Sequence, residues 1–271
     1  MINKTYVHPI NLKGIPAVLL TLIICFLFFT AGIGMVFAQQ ASENGFNYDW
    51  DKDVKDGIEI TRYVGDQNDV RIPSTINNYK VTRIGSSAFR YNRNITSVVI
   101  PNTVLIIDGG AINGAFAGCT KLASVTIPNS VTTIGNNVFN GCTSLTSITL
   151  PNSVTSIGNN AFLGCTGLTR ITLPNSVTSI GRDAFRDCSA LTSITIPRSV
   201  TSIGVTAFKD CTNLTSVTFQ GTISSNDFGV FGRTITTADL FPGDLPNKYL
   251  DRDGGPGTYI RFAGGKEWRK Q

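Results

Sequence analysis

Between residues 122 and 213 the hydrophobic positions of the chain repeat every 23 residues. Four consecutive units start at Leu122, Leu145, Leu168 and Leu191, with apolar side chains at places 1, 4, 6, 10, 13, 17, 18 and 21. In the second unit, LTSITLPNSVTSIGNNAFLGCTG, these are Leu145, Ile148, Leu150, Val154, Ile157, Ala161, Phe162 and Cys165. Places 4 and 6 alternate with hydroxyl residues and β-branched side chains dominate, which predicts a strand over places 2 to 6. Proline at place 7 ends that strand, because it has no N–H to give to a ladder. Glycine at place 14 (Gly135, Gly158, Gly181, Gly204) predicts a turn with positive φ, and places 15 to 20 a short helical turn around the phenylalanine.

One unit alone buries none of these groups well. Stacked copies bury them against each other, with strands about 4.8 Å apart, so the pattern predicts an α/β repeat solenoid. A 27-residue unit, 95–121, precedes the regular four and carries four extra residues after Ile107. Residues 70–89 read as a divergent first copy, and Leu214 to Phe219 opens a last unit that departs from the pattern. The open ends of such a stack expose core and need covers. Ile58, Ile60 and Tyr63 are assigned to a front cap, as an extra strand, and Phe228, Phe231, Leu240, Leu245 and Tyr249 to a rear one. Trp268, among Lys266, Arg269 and Lys270, reads as frayed tail. The expected organisation is a leader over 1–38, an N-terminal cap with the divergent repeat over 39–94, repeats over 95–219, and a C-terminal cap and tail over 220–271.

The leader is an uncharged, mostly apolar run at 15–38, preceded by Lys4 and Lys13 and ending in Val36-Phe37-Ala38. Small residues at those places fit a secretory signal cut after Ala38. The alternative is an uncleaved anchor, since a run of this length spans a bilayer. Either way the chain is expected to be exported, secreted or held at the cell surface, and to meet a membrane only if the leader stays.

Chemistry is limited by composition. The one histidine, His8, lies in the leader, so the exported chain has no Ser-His or Cys-His pair and no histidine metal ligand. Asp and Glu form no paired motif on adjacent strands, and neither an enzyme nor a cofactor is expected. Asp251-Arg252-Asp253-Gly254 lacks the spaced ligands and closing Glu of a calcium loop and reads as a turn. With 23 Lys+Arg against 18 Asp+Glu the net charge is +5, too scattered to point to nucleic acid. Cys119, Cys142, Cys165, Cys188 and Cys211 share one column. Its spacing permits a disulfide, yet stacked side chains point the same way and an odd number leaves one over. A column of small buried thiols is the expectation. Arg170, Arg182, Arg186, Arg198 and Lys209, offset by Asp183, Asp187 and Asp210, read as a solvated face with compensating columns; a site for acidic glycans is the alternative.

The pattern L-x-x-I-x-[IL]-P-x-x-V-x-x-I-x-x-x-A-F-x-x-C resembles the BspA-like leucine-rich repeat, and the resemblance covers about 57–262. The segment GIEITRYVGDQNDVRIPSTINNYKVTRIGSSAF resembles that family's N-terminal capping segment, and Asn247-Lys248-Tyr249-Leu250 with GGPGTYIR at 254–261 its tail. The resemblance implies a short horseshoe with a concave parallel sheet and caps at both ends. It also implies a non-catalytic exported protein that adheres to host or bacterial surface macromolecules through that sheet.

The candidate ligand-binding residues are the outward places 3 and 5 of the strands. Place 3 holds Ser124, Ser147, Arg170, Ser193 and Ser216; place 5 holds Thr126, Thr149, Thr172, Thr195 and Thr218. β-propensity and cross-strand threonine packing suffice to explain them. Against that stand a site for an extracellular protein or glycan and, more remotely, an ice-binding lattice, which Arg170 breaks. A structural role in the cell envelope, without an external ligand, is the alternative function.

Overall fold

The computed structural model describes residues 40–43, 45–223, 241–242, 254–261 and 265–271. The leader lies outside them, as do Phe228, Phe231, Leu240, Leu245, Tyr249 and 251–253. Among the described residues no helix is long and apolar enough to cross a membrane.

The strands in chain order are β1 (Gln40–Glu43), β2 (Phe46–Trp50), β3 (Gly57–Tyr63), β4 (Asp69–Arg71), β5 (Thr75–Ile76), β6 (Tyr79–Ile84), β7 (Ser97–Val99), β8 (Ile106–Ile107), β9 (Ser124–Thr126) and β10 (Thr133–Ile134). They continue as β11 (Ser147–Thr149), β12 (Ser156–Ile157), β13 (Arg170–Thr172), β14 (Ser179–Ile180), β15 (Ser193–Ile196), β16 (Ser202–Ile203), β17 (Ser216–Phe219), β18 (Gly257–Ile260) and β19 (Arg269–Lys270). Each turn of the solenoid therefore carries two strands where the sequence reading expected one. The first, at places 3 to 5, builds a parallel face from β4 through β7, β9, β11, β13 and β15 to β17. The second, at places 12 and 13, makes a continuous parallel run β6-β8-β10-β12-β14-β16. Register advances by one repeat: Ile148 pairs with Ile171, and Ile157 with Ile180. The first face has ladder gaps between β9 and β11 and between β13 and β15.

Two local expectations need correction. Places 15 to 20 form consecutive turns, not a helical turn, and every regular element among the described residues is a strand, so the α/β expectation does not hold there. Left-handed backbone occurs at place 16 (Asn137, Asn160, Asp183, Thr206) and place 20 (Gly141, Gly164, Asp187, Asp210), where φ is between 53° and 71°. Asn and Asp tolerate this region because their short polar side chains bond locally, and Gly has no Cβ to clash. Glycine at place 14 has ordinary φ and is required for a different reason. A Cβ on Gly158 would stand 2.7 Å from the amide nitrogen of Asn136, and one on Gly181 2.6 Å from that of Asn159. The glycine column lets successive turns approach closely.

The core between the two faces is built of columns. Phe89, Phe116, Phe139, Phe162, Phe185 and Phe208 stack ring on ring at 4.8 to 5.5 Å. Tyr63 and Phe46 extend the column at the N-terminal end, and Phe241 at the other, 4.6 Å from Phe208. Beyond the first turn β1, β2 and β3 pair antiparallel, and β3 joins β6 in parallel, with Ile58, Ile60 and Tyr63 buried. The extra residues of the 27-residue unit form a small loop closed by a bridge between Gly109 and Gly114. At the far end β18 pairs antiparallel with β17, and β19 with β18. Trp268 is not frayed tail: it is 1% exposed, donates from Nε1 to the Pro242 carbonyl at 2.6 Å and lies under the Arg261 guanidinium.

Candidate binding face

Strand alternation at β9 to β15 turns Val125, Ile148, Ile171 and Ile194 into the core and places 3 and 5 outward. All ten predicted residues lie on this one face. Ser124, Thr126, Ser147, Thr149, Arg170, Thr172, Ser193 and Thr195 are exposed. Ser216 and Thr218 are half-buried, because β18 packs alongside β17 and brings the Thr258 hydroxyl within 2.9 Å of Thr218.

The hydroxyls of a repeat fall into two groups. Those at places 2, 9 and 11 serve the scaffold by donating to backbone carbonyls of the preceding turn: Thr169 to Thr146 at 3.0 Å, Ser153 to Val131 at 2.6 Å and Thr178 to Thr155 at 3.1 Å. Those at places 3 and 5 of β9, β11, β13 and β15 bond to no protein group among the described residues. Arg170 likewise has no carboxylate partner among the described residues. It stands beside Ser147, Thr149 and Thr172 at a shallow depression of about 320 Å³.

The face reaches further than the repeats alone indicate. Register places Asp69 beside Ser97 and Arg71 beside Val99 at one end, and Thr258 and Ile260 beside Thr218 and Ser216 at the other. The Asp69 carboxylate accepts from the Ser97 and Thr96 hydroxyls, at 2.7 and 2.8 Å, which holds it below the usual carboxylate range. Alternation around Val70 was available to locate Asp69 and Arg71. Nothing periodic marks Thr258 and Ile260, because they reach the face by chain reversal.

The other columns do structural work. Each thiol of the cysteine column donates to a phenylalanine carbonyl of the preceding turn, as Cys165 does to Phe139 at 3.1 Å. Burial pushes Cys119, Cys165 and Cys211 up to about 12 and Cys142 and Cys188 well above their ordinary value. All five are free thiols. Arg186 lies 3.6 Å from carboxylates of Asp183 and Asp187 and 3.7 Å from Asp210, so its columns compensate as expected. Asp187 and Asp210 also occupy the left-handed turn position, a role the charge pattern concealed. Among the described residues no group of three or more His, Cys, Asp or Glu side chains is placed to hold a metal ion.

A stack of two-stranded turns with one polar face unused by its own scaffold defines a leucine-rich-repeat protein. The model of the BspA type leucine-rich repeat region matches residues 67–114 and 112–237, in six copies, and the chain belongs to that family. It is similar to a Treponema pallidum leucine-rich repeat protein, with 35% identity, 70% of this chain and 85% of that one covered, and a TM-score of 0.62. A leucine-rich cell surface protein of Faecalibacterium prausnitzii matches at 30% identity and TM-score 0.51, covering 69% of this chain. A leucine-rich repeat protein of Bacteroides ovatus matches at 28% and 0.52, covering 75%. This chain spans 56% and 60% of those last two. No curated protein matches it.

Proposed function

We propose that the protein is a non-catalytic, exported binding scaffold that attaches to surface macromolecules of a host or of other bacteria through the face formed by places 3 and 5. The observation that carries this reading is the division of labour among hydroxyls. Scaffold hydroxyls are consumed by neighbouring carbonyls, whereas those of Ser124 to Thr195 on this face, with the Arg170 guanidinium, have no partner among the described residues. A rigid row of uncommitted donors and acceptors binds without ordering itself first. Export is supported by the apolar leader and by the similarity to a cell surface protein of Faecalibacterium.

The test is binding of the exported protein to a panel of matrix proteins free of glycan at two salt concentrations. Saturable binding is expected, and Thr149→Tyr, Thr172→Tyr and Thr195→Tyr together abolish it while the unfolding midpoint holds. Retained binding in that folded variant moves the site elsewhere. Absence of binding by folded protein favours the envelope role.

A further inference from the structure

At the N-terminal end, away from the face just described, the chain builds a second depression of about 670 Å³. Its walls come from the β2–β3 connection, the β5–β6 hairpin and the segment before β8. That volume falls among small-molecule sites, which combine an aromatic or apolar wall with a few placed polar groups. Both are present. Tyr79, 39% exposed, and Leu105, 43% exposed, face the depression, and Trp50, 46% exposed, backs Tyr79 with ring centroids 4.6 Å apart. Burying three large apolar side chains is favourable, yet these are left in water at one spot. The polar part consists of the Asn78 and Asn102 amides, the Lys55 and Lys80 ammonium groups and the Asp56 carboxylate, all exposed, with the Thr82 and Thr103 hydroxyls, so cations outnumber anions two to one in the lining. Among the described residues neither lysine has a carboxylate within ion-pair distance, and neither amide side chain has a hydrogen-bond partner.

The rim is preformed. Asn77 and Asn78 have φ of 49° and 67°, making the two-residue turn that joins β5 to β6, and Asp56 has φ of 59° in the tight turn before β3. The backbone that carries Lys55, Asn78, Tyr79 and Lys80 is therefore held by turn geometry before any ligand arrives.

We propose that this depression is a saccharide-binding site for an acidic sugar. A pyranose lays its C–H face on Tyr79, its vicinal hydroxyls bond to the Asn78 and Asn102 amides, and its carboxylate or sulfate pairs with Lys55 and Lys80. Planar amides match vicinal hydroxyls, and a compact lysine charge attracts either kind of anion.

The test is titration calorimetry of the exported protein with three probes: a hyaluronan tetrasaccharide carrying carboxylates, a heparin tetrasaccharide carrying sulfates, and neutral cellotetraose. At least one acidic probe is expected to bind at least tenfold more tightly than cellotetraose, and the stronger of the two identifies the anion. Binding changes the tryptophan emission, which reports Trp50 because Trp268 is buried at the opposite end. Tyr79→Ala weakens binding at least tenfold. Lys55→Ala with Lys80→Ala, both at exposed positions, removes the preference for acid, and unchanged urea midpoints establish that both variants fold. The triple threonine variant of the strand face leaves this binding intact. Equal affinity for cellotetraose, no binding at millimolar sugar, unaltered binding in the two site variants, or loss in the threonine variant overturns the proposal.

Discussion

Glycine recurs at two places of the repeat, 14 and 20, for two unrelated reasons, and substitutions separate them. Gly164 has φ of 68° and a Cβ there would meet nothing nearer than Gly141, 4.0 Å away, while Asp187 and Asp210 occupy the equivalent place in later turns. Gly164→Asp is expected to change stability by less than about 1 kcal/mol, since Asp accepts the left-handed region. Gly181→Ala, whose new Cβ would stand 2.6 Å from the Asn159 nitrogen, is expected to cost about 3 kcal/mol, as overpacking against backbone does. Urea denaturation of both proteins decides it; equal midpoints would refute the close-approach account. The cysteines give a second residue-scale prediction. With thiols buried, bonded to carbonyls and raised to about 12 or beyond, the five column cysteines are expected to resist a thiol reagent at pH 8 in the native protein and all to react in guanidinium. Rapid labelling of Cys165 in folded protein would show the column to be open.

At the scale of elements, the junction of the N-terminal strands with the solenoid rests on Arg83, which sits on β6 with its side chain 3% exposed. Asp51 accepts from its Nε at 3.1 Å and Asp108 from its Nη1 at 3.0 Å; Asp53 bonds to Nη2, and Glu59 lies 3.9 Å away. Four carboxylates thus share one guanidinium. Burial tends to raise Asp51, but bonds from the Asp53 amide, the Thr82 hydroxyl and Arg83 outweigh it and leave that carboxyl below its ordinary value. Glu59 is raised, first by burial and then by the Asp108 charge. The two shifts act in opposite senses. The stabilisation from Asp51 is present above its unfolded value and is lost as pH falls through its lowered native one, whereas the penalty on ionised Glu59 disappears as pH falls from neutral through its raised native value. Unfolding free energy is therefore expected to rise on mild acidification and to fall again at lower pH. Glu59→Gln is expected to raise stability at pH 7 and to remove the rise; a monotonic profile in the parent protein would contradict this. None of this junction was legible in the sequence. Asp51, Asp53, Glu59, Arg83 and Asp108 are scattered over 58 positions and follow no period, so only the pairing of β6 with β3 on one side and β8 on the other brings them together.

For the whole molecule, the consequence of stacking is that each turn contacts its neighbours through the same interface. Removing 145–167 brings Phe139 onto Phe185, Ser124 beside Arg170 and Thr126 beside Thr172 without a new kind of contact. The shortened protein is expected to fold, to lose about 4.8 Å of length along the stack, and to unfold at a moderately lower urea concentration. Small-angle scattering and denaturation check both parts, and a collapsed or aggregated product would show that the ends depend on the full number of turns.

The 23-residue period alone determined that the chain stacks, which side chains form the core columns and which hydroxyls point outward, because repetition makes each turn's environment the same and alternation then sorts inside from outside. The tertiary structure decided what repetition cannot encode. It placed a second strand in each turn, since two residues at Ser156–Ile157 are too short to show alternation and pair only because the next turn lies beside them. It made glycine at place 14 a matter of distance to a neighbouring backbone, which no local preference records. It also added at each end contacts between residues far apart in the chain: Trp268 with Pro242 and Arg261 at one, and Arg83 among its carboxylates at the other. At an end a turn has one neighbour instead of two, so burial there has to come from contacts outside the period.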